Sequence, residues 1–173
     1  MAHVFDVICF KKQGIGLYHG LSHELPIGIH KTGIKSVVTM HDLIYKRHPE
    51  YFPFLDRQIY DWKFRYACHH ADKIVAVSQA TKDDIVTFFQ IDPQRIEVIY
   101  QTCNERFKRF LAQEDCDAVI QEHQLPSEFM LYVGAIIPRK NLETIIRAMA
   151  ILPNSVKIPL VVVGQGNAYK KKY

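Results

Sequence analysis

The chain has 173 residues, of which 48% are hydrophobic, so it can bury a core and is not intrinsically disordered. Its net charge of +4 is modest and its Lys and Arg residues are scattered, which argues against a dedicated nucleic-acid-binding protein. No apolar run approaches the ~20 residues needed to span a membrane, and the N-terminus lacks the basic-then-apolar pattern of an export signal, so we expect a cytoplasmic protein.

Short apolar runs alternate with longer amphipathic ones along the chain. In chain order, the pattern predicts a strand at 36–40, a helix at 56–70, a strand at 74–77, a helix at 78–90, a strand at 96–100, a short helix near 113–123, a strand at 129–133, a helix at 142–150 and a strand at 160–163. Several of the strands are almost uninterrupted apolar runs rich in branched residues, which is typical of parallel strands buried on both faces. The alternation therefore predicts a doubly wound α/β fold with helices on both faces of parallel sheets.

The pattern loosens and becomes polar between Thr102 and Glu128. Such a change of composition is the best indication of a domain boundary in this chain. We therefore expect one domain at 1–103, a linker region at 104–128 and the start of a second domain at 129–173.

Two adjacent cations, Arg139 and Lys140, follow a predicted strand and the glycine Gly134. They are predicted to open the next helix, with Asn141 as its cap. Cations at a helix N-terminus face the positive end of the helix dipole, which costs about 0.3–1 kcal/mol each. Exposed N–H groups with nearby positive charge form a pocket for an anion such as phosphate. Alternatively, Arg139 and Lys140 are two solvated surface residues that begin a helix. The local sequence does not distinguish this interpretation from the anion pocket.

Two further sites lie at the predicted ends of strands. Gly164 and Gly166 follow the last strand, where glycines let the backbone approach a ligand closely, although a tight turn also explains them. His41 ends the 36–40 strand, with Asp42 beside it either to orient the imidazole or to cap the following segment. A bystander histidine next to a capping aspartate is the other interpretation of this pair.

Other features point less clearly to chemistry. His19 and His23 are four residues apart, but an intervening glycine and the absence of a third ligand argue against a metal site. The four cysteines are widely spaced without a CxxC pair, which predicts free thiols. The aromatic stretch 51–66 could form a membrane-surface or lipid-acceptor face, but core packing is favoured because aromatic side chains usually fill cores.

Three segments in order resemble the signatures of group 1 (family 4) glycosyltransferases of the GT-B fold: VTMHDL at 38–43, ADKIVAVS at 71–78, and YVG with RKNL within 132–142. HGLS at 19–22 and LVVVGQG at 160–166 fit the same pattern. The resemblance covers nearly the whole chain. It implies two Rossmann-like domains: the later part of an N-terminal, acceptor-side domain, and the start of a C-terminal domain that binds the nucleotide sugar.

The resemblance also implies roles for individual residues. Arg139 and Lys140 match the pair that contacts the donor diphosphate, and Gly134 and Asn141 flank them. Gly164 and Gly166 match the loop near the nucleotide, and His41 matches an active-site histidine. Such enzymes retain anomeric configuration and use a GDP- or UDP-sugar without a cofactor or divalent metal, since the cationic pair stabilises the leaving diphosphate. Mannosyl transfer to a saccharide or lipid-linked acceptor is common among them.

Parts of the family pattern are missing from this sequence. The first strand and glycine-rich loop are not visible before His3, and the acidic E-x7-E segment does not follow Gly166. We therefore expect a central fragment that is weakly active or inactive alone and self-associates through unpaired sheet edges. Peripheral contact with the inner face of a membrane is a further expectation. The alternatives are a non-catalytic α/β protein that binds a phosphate-bearing ligand and a GT-B sugar phosphorylase.

Overall fold

The structure is a computed structural model that describes residue 10 and residues 12–166. The expectation concerning the segment before His3 lies outside these residues. The chain forms two compact units that divide between Thr102 and Cys103. Each unit contains parallel strands and helices, so the α/β prediction is confirmed.

The first unit is built on a four-stranded parallel sheet in the order β1-β2-β3-β4. Its strands are β1 (Leu17–Gly20), β2 (Lys35–Met40), β3 (Lys73–Ala76) and β4 (Ile96–Val98). The helices are α1 (Ile44–Arg47), α2 (Phe54–His70) and α3 (Gln79–Phe89), and short 3₁₀ helices lie at Ile29–Lys31, Pro49–Tyr51 and Pro93–Arg95.

A continuous hydrophobic core holds the first unit together. Val38 and Met40 of β2 are buried with Ile74 of β3, and Ile85 and Phe89 of α3 join the same cluster. Ser78 caps α3 as predicted, since its Oγ accepts a hydrogen bond from the backbone N–H of Thr81 at 3.1 Å. Burial of this many branched and aromatic side chains is the main stabilising contribution.

The second unit has only two described strands, β5 (Met130–Val133) and β6 (Leu160–Val163), which pair in parallel. Its helices are α4 (Gln113–Glu122) and α5 (Leu142–Ile151), with short 3₁₀ helices at Glu105–Lys108, Pro138–Lys140 and Asn154–Val156. The expectation of burial on both faces is wrong for β5. Leu131 and Val133 are 58% and 70% exposed, because alternate side chains of this strand face water.

The three cysteines within the described residues, Cys68, Cys103 and Cys116, are free, as predicted. Cys68 is buried in the core of the first unit, and this burial raises the pKa of its thiol to about 12. Its thiolate is therefore scarce at neutral pH, and Cys68 is an inert packing residue.

Candidate functional site

The candidate residues of the second unit gather at the carboxyl ends of β5 and β6. The backbone N–H of Gly134 donates to the carbonyl of Val163 at 2.9 Å, and that of Ile136 donates to Gln165 at 2.8 Å. A parallel bridge also joins Ile136 to Gly166. The ladder thus continues beyond the strands and holds the two glycine-containing loops side by side.

Gly164 is where these loops approach most closely. A Cβ atom added at Gly164 would lie 1.8 Å from the carbonyl oxygen of Gly134, a distance that no real side chain can occupy. The requirement for glycine therefore comes from the neighbouring backbone, an explanation that the sequence interpretation had not considered. Its consequence is that the two loops meet backbone to backbone at Gly134 and Gly164.

Arg139 and Lys140 do not open α5, contrary to the sequence prediction. They lie in the separate 3₁₀ helix Pro138–Lys140, which ends at Asn141 in the left-handed conformation with φ 54°. Proline presets the first turn, and asparagine tolerates the left-handed region, so the chain reverses before α5 begins. The cations therefore sit at the end of one short helix and avoid the unfavourable first turn of the next.

The start of α5 has no side-chain cap. Asn141 occupies the capping position as predicted, but its Oδ1 accepts from the hydroxyl of Thr144 at 2.8 Å instead of from a backbone N–H. Glu143 in the first turn would repel an anion, yet it pairs with Arg147 at 2.6 Å. The first N–H groups of α5 are thus without a capping side chain.

Arg139 is partly exposed and Lys140 is exposed. Within the part of the chain that the structure describes, neither has an ion-pair partner within 4 Å. Two unpaired cations beside an uncapped helix start provide a guanidinium fork, a point charge and backbone donors. This set of groups suits a ligand with two adjacent anionic groups.

His41 lies at the carboxyl end of β2 in the first unit. Its Nε2 is 2.9 Å from the carbonyl oxygen of Leu21. Because a carbonyl can only accept, Nε2 must carry the proton, and in the neutral ring Nδ1 is then the acceptor. The bond thus selects the tautomer of His41 and leaves Nδ1 to receive a hydrogen bond.

Hydrogen bonds from α3 fix the backbone of His41. The buried hydroxyl of Thr81 donates to the His41 carbonyl at 3.0 Å, and the hydroxyl of Ser78 lies 2.9 Å from that of Thr81. Since the Thr81 proton points to His41, Ser78 must donate to Thr81. Asp42 caps the following turn, accepting from the N–H of Ile44 at 3.2 Å, as one of the two sequence interpretations proposed. The 38–43 segment and the first turn of α3 therefore meet at His41.

His23 belongs to the same cluster, which sequence reasoning missed. Its ring lies 5.1 Å from that of His41 and stacks on Phe64 at 4.4 Å between centroids. His19 is engaged elsewhere, with Nε2 2.9 Å from the hydroxyl of Thr39. No group of three metal-ligating side chains occurs among the described residues. The HGLS motif followed by His23 was the signal, but only the β1–β2 pairing brings it to His41.

Burial lowers the pKa of His23 below the usual histidine value of 6.5, and the nearby His41 lowers it further. The unfolded chain then binds the extra proton more readily, so the stability that neutral His23 provides is complete above pH 6.5 and declines as pH falls below it. We expect the thermal midpoint to drop between about pH 7.5 and about pH 5.5, and to drop less in His23→Asn. Asparagine suits the left-handed backbone here, with φ 63°.

Calorimetry at a series of pH values measures this difference. The thermal midpoint of the variant will still fall somewhat with pH, because the pKa values of His30 and His69 are also lowered, and burial is the largest cause for both. His123→Asn, a change at an exposed histidine of the second unit, serves as the control for the substitution itself. An identical pH slope in His23→Asn and the unmodified chain would contradict the assignment.

Helix α2 divides its aromatic residues between two environments. Phe64 is buried in the core, as the favoured interpretation predicted, whereas Trp62 is 56% exposed. Tyr60 and Tyr66 of this helix, together with Phe52 just before it, are partly buried against the core. None of the helices in the described part of the chain is long and apolar enough to cross a membrane. Core packing thus accounts for one face of α2 and leaves the other unexplained.

Comparison with family models matches both units. The model described as "Glycosyltransferase Family 4" matches residues 5–107, and that described as "Glycosyl transferases group 1" matches residues 115–173. Among solved structures, "Anabaena Alr3699/HepE in complex with UDP" aligns with a TM-score of 0.64 at 17% identity, over 98% of this chain and 45% of that one. A glycosyltransferase from Rickettsia africae aligns with a TM-score of 0.50 at 14% identity, over 93% and 49%. At these identities the structural neighbours establish the fold alone.

The curated relatives are longer proteins. "O-antigen chain mannosyltransferase B" of Escherichia coli is 29% identical over 152 residues, which is 86% of this chain and 38% of the relative. "Serotype-specific mannosyltransferase WbdA" of E. coli is 27% identical over 149 residues, covering 80% and 18%. "O-antigen chain mannosyltransferase RfbU" of Salmonella typhimurium is 24% identical over 141 residues, covering 80% and 34%. The chain spans less than half the length of these relatives. The match over residues 5–107 shows that the chain belongs to Glycosyltransferase Family 4.

Proposed function

We propose that the chain is part of a glycosyltransferase that moves a mannosyl unit from a nucleotide sugar to a saccharide or lipid-linked acceptor, with retention of configuration. The observation that carries this proposal is the pair of unpaired cations, Arg139 and Lys140, beside the uncapped start of α5. The names of the curated relatives support mannose, and the UDP in a structural neighbour supports a nucleotide donor.

The proposed chemistry is stabilisation of the leaving group. As the bond between the sugar and the diphosphate breaks, negative charge grows on the departing phosphate oxygens. Arg139 can hold two oxygens with its planar fork while Lys140 adds a compact charge, so the transition state gains more than the ground state. In this proposal the cations do the work for which other enzymes use a divalent metal.

For His41 we propose a positioning role at the sugar. Its Nδ1 is the acceptor atom once Nε2 is committed to Leu21, so it can receive a hydrogen bond from a sugar hydroxyl. Thr81 holds the backbone beneath it, which keeps the ring in one orientation. Gly134 and Gly164 supply the bare backbone near which the nucleotide would lie, with Gly166 in the same loop.

Complete turnover is proposed for the longer protein rather than for this chain by itself. The chain spans 38% of the first relative, so the activity of the whole protein is assigned to the longer chain. We therefore propose that the isolated chain binds the donor diphosphate weakly and transfers sugar slowly or not at all.

Nucleotide binding tests the proposal directly. In calorimetric titrations with UDP, GDP and GDP-mannose, we expect at least one nucleotide to bind and the double change Arg139→Ala/Lys140→Ala to weaken it about a hundredfold or more, since each charged hydrogen bond contributes roughly 1.5–3 kcal/mol. Bound nucleotide should also raise the thermal midpoint of the unmodified chain. Lys157→Ala, at another exposed lysine of the same unit, is the matched control and should bind normally.

Three outcomes would count against the proposal. Absence of binding by every nucleotide would leave a non-catalytic α/β protein. Equal binding by the double variant would remove Arg139 and Lys140 from the site. Phosphate-dependent cleavage of a saccharide, without use of a nucleotide sugar, would favour the sugar phosphorylase alternative.

A further inference from the structure

An open pocket of about 330 Å³ lies on the outer face of α2, against the segment that follows β1. It is separate from the residues so far assigned a role. Five apolar side chains line it, namely Leu25, Ile27, Ile59, Trp62 and Tyr66. Glu24 and Lys63 complete the lining, with Nζ of Lys63 2.8 Å from the Glu24 carboxylate. We refer to this site as the aromatic pocket.

The aromatic wall of the pocket is held in place on its far side. Tyr66 stacks on His70 with centroids 4.2 Å apart, and its hydroxyl accepts a hydrogen bond from the N–H of Gly28 at 2.5 Å. Trp62 lies nearly parallel to Tyr66, at 6.4 Å and 29°. Tyr66 is therefore held in place and needs little ordering when a ligand binds, and Trp62 extends the aromatic surface beside it.

Within the described part of the first unit, Trp62 is left largely uncovered. More than half of its side-chain surface faces water, while Leu25 on the same pocket is almost fully buried. A large indole left open over an apolar floor is a surface that would gain by being covered. The size of the pocket is right for a small ring rather than for a protein segment.

The polar part of the lining identifies the chemistry of the occupant. Glu24 offers acceptor oxygens and Lys63 offers donor protons, side by side and with no net charge. A hydroxyl group both donates and accepts, so neighbouring hydroxyls on a ring can bridge the two residues. An anionic head group would bind Lys63 but meet the negative charge of Glu24 at the same place.

We propose that the aromatic pocket binds a saccharide ring, which stacks its apolar C–H face on Trp62 and directs vicinal hydroxyls to Glu24 and Lys63. In naming a saccharide the proposal rests on the proposed function, which includes a saccharide acceptor. Binding in the pocket itself requires neither nucleotide nor transfer. Two residues of the pocket are sequence neighbours of the His41 cluster. Glu24 follows His23, and Lys63 precedes Phe64, on which His23 stacks.

Trp62 provides a site-specific probe because it is the single tryptophan of the chain. Its fluorescence and its one indole N–H resonance are followed while the full chain is titrated with methyl α-mannoside, a mannose disaccharide and methyl α-glucoside, without nucleotide. We expect a saturable change with at least one saccharide, at a dissociation constant of roughly 1 mM. Glycerol, a polyol without a ring face, should give none.

Two pairs of variants test the residues. Lys63→Ala and Glu24→Gln should each weaken binding about tenfold, since each removes one charged hydrogen-bonding partner. Ile59→Ala removes a pocket wall and should also weaken it, whereas Leu55→Ala, one turn earlier on α2 and outside the pocket, should not. Circular dichroism establishes that each variant is folded.

The outcomes separate this proposal from the proposed function. Saccharide binding that persists in Arg139→Ala/Lys140→Ala supports the pocket whatever the result with nucleotides. No saturable change with any saccharide overturns the pocket assignment but leaves nucleotide binding intact. A response to phosphatidylglycerol or phosphatidylcholine vesicles without a response to saccharides would also overturn it and would identify a lipid surface instead.

Discussion

Replacing Gly20 by alanine is expected to destabilise the first unit by about 3 kcal/mol or more, the upper end of what overpacking usually costs. The added Cβ would lie 2.1 Å from the carbonyl oxygen of Glu24 and 3.2 Å from the side chain of Leu25. The backbone that it meets cannot move freely, because the N–H of His23 is bonded to the carbonyl of Thr39 in β2. Urea unfolding monitored by circular dichroism measures the loss in free energy of unfolding.

Gly16→Ala is the matched control for this experiment. Gly16 immediately precedes β1, and a Cβ added there meets nothing within 4 Å. We expect its effect on the free energy of unfolding to stay within about 1 kcal/mol, in the range of ordinary surface changes. Equal effects of the two substitutions would show that the turn after β1 can relax and that Gly20 is not required.

The change Gly164→Ala is expected to disrupt the ends of β5 and β6 and to abolish nucleotide binding together. Its Cβ would lie 1.8 Å from the Gly134 carbonyl, so the two loops must separate and the hydrogen bond from Ile136 to Gln165 is lost. The second unit should lose about 3 kcal/mol of stability. Calorimetric titration with UDP and GDP-mannose, combined with urea unfolding, measures both effects.

Gln165→Ala is the control at the adjacent position. Its side chain is exposed, and its backbone carbonyl still accepts from Ile136 after the substitution. Normal nucleotide binding by Gly164→Ala would show that the bare backbone at this point serves packing alone. Loss of binding in both variants would instead indicate a site that depends on the Gln165 side chain.

The predictable parts of the fold are those in which local pattern and tertiary burial agree. Strand β2 and helix α3 were predicted within one or two residues because their apolar side chains face the same core that their periodicity indicates. Strand β1 was missed because it is short, with Leu17 exposed and His19 and Gly20 in place of an apolar run. A strand without apolar alternation gives no signal of its own.

The places of the candidate residues in the two sheets were predictable, but their contacts were not. His41, Arg139 and Gly164 all follow strands, and the carboxyl ends of parallel strands are where ligands bind in α/β sheets. Two details required the three-dimensional arrangement. Asn141 is a plausible cap in sequence, and its left-handed backbone, which separates the cations from α5, is visible only in the structure. The bond from Thr81 to the His41 carbonyl joins residues forty positions apart.

The open face of β5 has a thermodynamic consequence for the whole chain. Leu131 and Val133 gain little from burial, and in the second unit the only buried hydrophobic residues among those described are Ile136 and Leu142. The first unit, by contrast, has a continuous core. A unit with the smaller buried core gains less stability from its interior, so we expect the second unit to be the less stable of the two. The unit that carries Arg139 and Lys140 is then the one whose folded population a bound ligand can raise most.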